Sequence, residues 1–260
     1  MKKIIAICIA LMAAGATASA QMHFEDRTID DTTIRYITEE FRCEELSELI
    51  IFLPTVLTLT DGEEGIITIS YPMDESPYIR YGIVECNKLT VGRNGDVKTP
   101  KNTILSNRVP IYLTISASQL SRIANFSDME LYIERDMFAE SLNLQNGLTL
   151  GIVAESITAT DKIKIFNNGT MTCNVKEWNT AILDTYNNGY LHIAGITTAK
   201  QVAQMSGAES INDIDLWVDC DALSIFSRGK GRYRYRGTAD DVNITNRGKR
   251  CRILTSELNR

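Results

Sequence analysis

The sequence predicts an all-β fold wound as a parallel solenoid, and three observations carry that reading. Turn signals recur: Asn146-Gly147, Asn168-Gly169 and Asn188-Gly189 are followed by Gly207, Gly229 and Gly248, at intervals of 22, 20, 18, 22 and 19 residues. Between them lie short runs of alternating polarity, such as Lys162-Ile163-Lys164-Ile165, Tyr190-Leu191-His192-Ile193 and Asp213-Ile214-Asp215-Leu216. No window has the length and 3.6-residue periodicity of a long helix, and the spacing of a leucine-rich repeat is absent. Glycine and asparagine reach positive φ cheaply, which suits both to the corners between strands.

The chain opens with Lys2 and Lys3, an apolar run from Ile4 to Ala14, and the small-residue triplet Ala18-Ser19-Ala20. That order reads as a cleavable secretory signal over residues 1–20, too short and too weakly flanked for a membrane span. No cysteine stands directly after Leu11 to Gly15, where a lipoprotein signal would need one, so no lipid anchor is expected. Residues 21–40 read as an N-terminal extension, and residues 41–255 as a single β-solenoid domain. No second apolar span appears, so the protein is expected to be exported, to the periplasm, the outer-membrane surface or the medium.

Residues 41–115 hold separated strand candidates without the twenty-residue rhythm. They are Leu49 to Leu53, Val56 to Thr60, Ile66 to Tyr71, Tyr78 to Val84, Lys88 to Val91 and Pro110 to Ile115. Pro54, Asp61-Gly62, Pro72, Arg93-Asn94-Gly95 and Pro100 punctuate them, as expected of hairpin-like or sharply bent connections. This part is expected to be an opening layer, with the polar loop Arg93 to Arg108 its most mobile segment and Phe41 to Leu49 the one short helical competitor. From Ser116 the coils take over, each of about twenty residues, stacked about 4.8 Å apart. Phe166-Asn167-Asn168-Gly169 and Tyr186-Asn187-Asn188-Gly189 recur one coil apart, so aromatic should stack on aromatic and asparagine on asparagine.

Five cysteines remain after cleavage, Cys43, Cys86, Cys173, Cys220 and Cys251, with no CxxC pair and no histidine at metal-ligand spacing. Cys173 and Cys220 alternate with apolar neighbours, which favours buried free thiols over a disulfide framework. No cofactor and no metal site is expected. The four aspartates at 213, 215, 219 and 221 lack the glycine-spaced loop of a calcium motif.

The sharpest chemical feature is electrostatic. Lys230, Arg232, Arg234 and Arg236 alternate on one strand face, with Tyr233 and Tyr235 on the other. Between residues 228 and 252, nine basic residues face only Asp240 and Asp241, a net charge of +7 within a chain of net −6. A basic end on an acidic body suits a polyanion, so these six residues are the candidate ligand-binding set, with an acidic polysaccharide or an envelope protein as partner. Nucleic acid is disfavoured by export and overall acidity. A structural role competes. Asp213 and Asp215 precede Arg232 and Arg234 by 19 residues each, about one coil, so cross-rung ion pairing is the favoured arrangement, with the arginines of 247–252 left over as a solvated tail.

Several segments resemble the exported bacterial family of putative auto-transporter adhesins, head GIN domain. They are Val56-Leu57-Thr58-Leu59-Thr60-Asp61-Gly62 with Ile67-Thr68-Ile69, Pro110 to Thr114, Ser206-Gly207-Ala208 and the closing Gly231-Arg232-Tyr233-Arg234-Tyr235-Arg236-Gly237. The family places Ser-Gly at most rungs, where this chain has Asn-Gly three times. The resemblance, over about Phe41 to Ile253, implies a right-handed β-helix-like envelope domain without catalytic residues to carry over. The expected function is a non-enzymatic binding or adhesion module. The alternatives are a β-helical polysaccharide-degrading enzyme using carboxylates along Asp213 to Asp221, and a periplasmic structural or assembly protein. His192 with Tyr190 and Asp184 is a candidate proton-transfer set, although a solvent-facing histidine on a rung is the favoured reading, and Trp178, Trp217, Tyr186 and Tyr190 suit either sugar stacking or core edges.

Overall fold

The computed structural model describes residues 22–29, 31–84, 87–93, 109–134 and 139–259. The expected signal at 1–20, Cys86 and most of the polar loop from Arg93 to Arg108 lie outside them. Strands account for 75% of the described residues, which form a β-solenoid of about six turns. The opening strands are β1 (Met22–Ile29), β2 (Thr32–Arg42), β3 (Glu48–Ile51), β4 (Thr55–Leu59), β5 (Ile66–Pro72), β6 (Ile79–Val84), β7 (Lys88–Arg93) and β8 (Ile111–Ile115). The winding continues through β9 (Arg122–Asn125), β10 (Asp128–Ile133), β11 (Ser141–Asn146), β12 (Thr149–Asn167), β13 (Thr170–Asn187) and β14 (Tyr190–Thr197). It ends with β15 (Gln201–Ser206), β16 (Ile211–Ser227), β17 (Lys230–Asn246) and β18 (Arg250–Asn259). Four of these, β12, β13, β16 and β17, bend in the middle and serve both sheets.

Sheet I stacks β4, β10, the first half of β12, the first half of β13, β14, the first halves of β16 and β17, and β18, all parallel. Sheet II stacks β3, β9, β11, the second halves of β12 and β13, β15, and the second halves of β16 and β17. The winding thus begins at β3 and β4, earlier than the expected start near Ser116. The reason is topological. β7 and β8 lie outside the first rung, paired with β3 and β4, and the chain then crosses to the inner side with β9. This reversal hides the repeat from the sequence.

Beyond β8 sheet I turns antiparallel, through β5, β2 and β1. The described part of residues 21–40 is therefore no separate extension but a hairpin that closes one end of the sheet. Phe41 and Arg42 end its second strand, and the helical competitor at 41–49 gives way to a turn and β3. Inside the cap, the Glu39 carboxylate is buried and accepts hydrogen bonds from the Tyr71 and Tyr81 hydroxyls.

Period-two alternation sends every second side chain inward, as in β10, exposed and buried by turns. Sheet I contributes Leu131, Ile152, Cys173, Ile193, Ile214 and Tyr233 to one inward column, and sheet II contributes Leu142, Ile163, Leu183, Val202 and Leu223 to another. Among the described residues, Cys173, Cys220 and Cys251 are free thiols, and Cys43, Cys173 and Cys220 are buried. Burial pushes the Cys220 thiol up to about 11, and pushes Cys173 higher still.

The corner between sheet II and sheet I is held by a buried asparagine ladder. Asn125 Nδ2 donates to Asn146 Oδ1 at 2.9 Å, Asn146 to Asn167 at 2.8 Å, Asn167 to Asn187 at 2.8 Å, and Asn187 to Asn212 at 2.8 Å. Each of the first four also accepts from the backbone N–H two residues on, as Asn167 does from Gly169 and Asn187 from Gly189. Each Nδ2 further reaches a carbonyl of the next rung, as Asn167 does at Tyr190. Beside the ladder the Phe166 and Tyr186 rings stack at 5.0 Å and 11°, and Asn188 donates to Asn168 at 3.0 Å. The expected stacking of aromatic on aromatic and asparagine on asparagine is present.

Corner glycines are explained differently from the expectation. Among the described residues, the glycines at positive φ are Gly65, Gly195, Gly231 and Gly237, none of them in an Asn-Gly pair. Gly169 and Gly189 are required because rungs press together: a Cβ there would lie 1.9 Å from the carbonyl oxygen of Leu148 or of Gly169. Gly189→Ala should therefore lower the melting temperature sharply. Gly151→Ala, with nothing within 4 Å of its Cβ, should leave it nearly unchanged, which thermal denaturation of both variants would decide. Asn167→Ala should cost about 3 kcal/mol in denaturant unfolding, since it leaves several buried groups unpaired. Thiol titration should find Cys173 and Cys220 unreactive at neutral pH until the protein is unfolded.

Candidate functional site

The basic strand predicted from the sequence is the first half of β17, and its four cations point outward from sheet I while Tyr233 and Tyr235 point inward. Both tyrosines are fully buried, Tyr233 donating to Ser206 Oγ at 2.9 Å. They are core residues, and the expectation that they contact a ligand is corrected: alternation that puts the cations outside puts the rings inside.

The expected cross-rung register is observed, Asp213 opposite Arg232 and Asp215 opposite Arg234. Arg232 Nη2 donates to Asp213 Oδ1 at 3.0 Å, and His192 Nδ1 lies 3.1 Å from Asp213 Oδ2. Arg236 Nη2 donates to Asp215 Oδ1 at 2.6 Å, and its guanidinium sits over the exposed Trp217 ring at 6.0 Å. Arg234 approaches Asp215 at 4.0 Å and donates to Glu257 Oε1 at 2.7 Å; that carboxylate holds the guanidinium pKa above its usual range. Thr238 donates to Asp219. Arg234 is thus flanked by carboxylates on both sides and Arg236 is paired with Asp215, and Asp213, Asp215 and Asp219 are each engaged across the rungs.

Of the arginines expected to form a solvated tail, Arg250 and Arg252 instead open β18, in register with β17, while Arg247 precedes that strand with its guanidinium over the Phe226 ring at 5.7 Å. Lys230 lies opposite Arg250, and Arg232 opposite Arg252, so two like-charged pairs sit side by side on an exposed face. Lys230, Arg250 and Arg252 have no side-chain ion pair or hydrogen bond among the described residues. The alternation of Arg250 and Arg252 with Cys251 and Ile253, twenty residues beyond Lys230, is the sequence signal that identifies this strand.

The proton-transfer set does not assemble. Asp184 is on sheet II, paired with Lys162 at 2.5 Å, whereas His192 is on sheet I with Asp213. Trp178 is buried and donates to the Ala194 carbonyl at 3.2 Å, so it is unavailable to a sugar. Tyr186 has one ring face covered by Phe166. Phe166, Tyr186, Met205 and Phe226 line an open trough of about 480 Å³ on the outside of sheet II. Among the described residues no group of three or more His, Cys, Asp or Glu is placed to hold a metal, and no helix is long and apolar enough to cross a membrane.

The fold and this surface define the class: a β-solenoid with a charged outer face at one end. No family model and no curated protein matches the chain. Solved structures do. A putative adhesin from Bacteroides fragilis superposes with a TM-score of 0.61 at 17% identity, over 84% of this chain and 96% of its own. A putative lipid binding protein from Parabacteroides distasonis gives 0.61 at 10% identity, and a putative adhesin from Parabacteroides merdae 0.55 at 10%, each over 84% of this chain and 96% of its own. At these identities the likeness establishes the shared fold.

Asp215 is the hub of the cross-rung pairs, so Asp215→Asn should lower the melting temperature by about 2–4 °C, the equivalent of roughly 1 kcal/mol in a chain of this size. Asp221→Asn, which removes no such pair, should not; calorimetry of the two variants checks this.

Proposed function

We propose that the protein is an exported, non-enzymatic binding module that holds an acidic glycan of the envelope or its surroundings against the basic end of sheet I. The observation that carries this reading is the convergence of unneutralised cations on the last two rungs of one exposed face, in a chain that is acidic overall. A flat sheet with outward side chains every second residue offers an extended polymer a surface rather than a cleft. The putative adhesins that share the fold, and the resemblance to the head GIN domain family, support a binding role and an envelope location. The degrading-enzyme alternative loses ground because three of its carboxylates, Asp213, Asp215 and Asp219, are engaged by arginine, histidine or threonine neighbours.

The test is retention of the purified protein on immobilised acidic glycans, one carboxylated (polygalacturonate) and one sulfated (dextran sulfate). Retention at low salt on either matrix, with release as NaCl approaches about 1 M and the screening length falls to about 3 Å, is the expected result. Passage through both columns at low salt would rule the reading out. Digestion by protease added to intact cells would put the module at the surface, and protection until lysis would put it in the periplasm.

A further inference from the structure

Resting on that reading, the geometry points to a specific anion seat: Lys230, Arg232, Arg250 and Arg252 form a site for tetrahedral oxyanions, sulfate or phosphate esters, bridging β17 and β18. Register is the reason. In a parallel pair the directly opposed residues share a face about 4.8 Å apart, and alternate residues of one strand follow at about 6.7 Å. Lys230 opposes Arg250 and Arg232 opposes Arg252, so the four residues take backbone positions at the corners of a small rectangle, within reach of one bound anion. All four residues are exposed.

Like charges directly opposite one another are destabilising in a sheet, and elsewhere on this face the chain avoids them. One rung earlier Asp213 faces Arg232 and Asp215 faces Arg234. Only Arg232 of the four has an acidic partner, and that partner is shared with His192. The rectangle therefore carries close to three charges without an acidic partner, which an external anion can balance.

Stoichiometry and shape select the anion. A carboxylate brings one charge and two oxygens in a plane, so it balances only one member of an opposed pair. A phosphate monoester brings up to two charges and three free oxygens, so one group can accept from both members of a pair at once. A sulfate ester carries one charge but spreads three acceptor oxygens, and successive esters along a polymer can occupy the two pairs in turn. Guanidinium forks at Arg232, Arg250 and Arg252 favour such multidentate contacts, with the Lys230 ammonium as a point charge. Arg234 and Arg236 stand outside the seat, held by Asp215 and Glu257.

Two measurements on the full chain test this. In thermal melts, millimolar inorganic phosphate at constant ionic strength should raise the wild-type melting temperature by about 2 °C or more, and do so saturably, because the anion binds the folded state alone. Arg250→Gln with Arg252→Gln should abolish that increment while melting no lower than wild type in chloride, since it also removes the repulsion. Elution should need higher salt from dextran sulfate than from polygalacturonate, and the same double variant should erase that difference. Lys164→Gln with Lys176→Gln, an equal change of net charge away from the seat, should not.

Equal elution from the two matrices together with a flat phosphate response would overturn the seat while leaving glycan binding intact. Loss of retention with Arg234→Gln and Arg236→Gln, but not with the Arg250 and Arg252 pair, would overturn it as well. Retention on neither matrix would instead strike at the parent reading, and the phosphate melt would then decide the seat by itself. A response to free phosphate without any retention on dextran sulfate would identify a small phosphorylated ligand as the occupant.

Discussion

Everything in this molecule depends on rung-to-rung register at one corner, and register there is held by buried amides. A carboxamide has the donors and acceptor that such a corner needs, since one oxygen accepts from the rung it belongs to and two N–H donors satisfy its own turn and the next rung. The chain from Asn125 through Asn146, Asn167 and Asn187 to Asn212 uses that capacity at each step. A slip of one residue would leave a buried amide unpaired at every rung and turn each strand's apolar face outward. Close approach of the rungs leaves no room for a Cβ at Gly169 or Gly189, so the same corner that requires asparagine also requires glycine.

The ladder changes character toward the basic end, and the change is coordinated. Ser206 and Ser227 take over the position of Asn187, while Asn212 enters from the other side of the corner, where earlier rungs have Leu191 and Met171. Smaller side chains there accommodate the Tyr233 ring, whose hydroxyl donates to Ser206. Bringing a tyrosine inward on β17 keeps the alternation in phase, and that phase sends Arg232, Arg234 and Arg236 outward. Core and surface are thus two sides of one strand, and the ladder sets both. Where charges serve stability they alternate in sign across the rungs; where they do not, at Lys230–Arg250 and Arg232–Arg252, the rule for a stable sheet is broken. It is on this departure from local consistency that the proposed binding site rests.

Much of the fold was legible in the sequence, for identifiable reasons. Six strand candidates between residues 49 and 115 correspond to β3 through β8, because alternation and proline or glycine punctuation act locally. The pairing of Asp213 with Arg232 followed from a nineteen-residue spacing that equals one turn. The first rung was hidden because β7 and β8 stack outside β3 and β4, and a winding that reverses direction has no constant period. The cap was hidden because antiparallel pairing of β1, β2 and β5 depends on partners distant in sequence. At the site, Tyr233 and Tyr235 were grouped with the cations by adjacency in sequence, although the period of two separates them. Arg250 and Arg252 read as a tail because charge dominated the segment, while the weaker apolar alternation of Cys251 and Ile253 identified the strand.

Side-chain amide hydrogen exchange followed by NMR on the intact protein tests the ladder directly. If the ladder holds the register, the Nδ2 protons of Asn125, Asn146, Asn167 and Asn187 exchange only through opening of the coil, orders of magnitude more slowly than those of the outward-facing Asn168 and Asn188. Exchange of the two groups at similar rates would contradict the claim that buried amides hold the rungs in place.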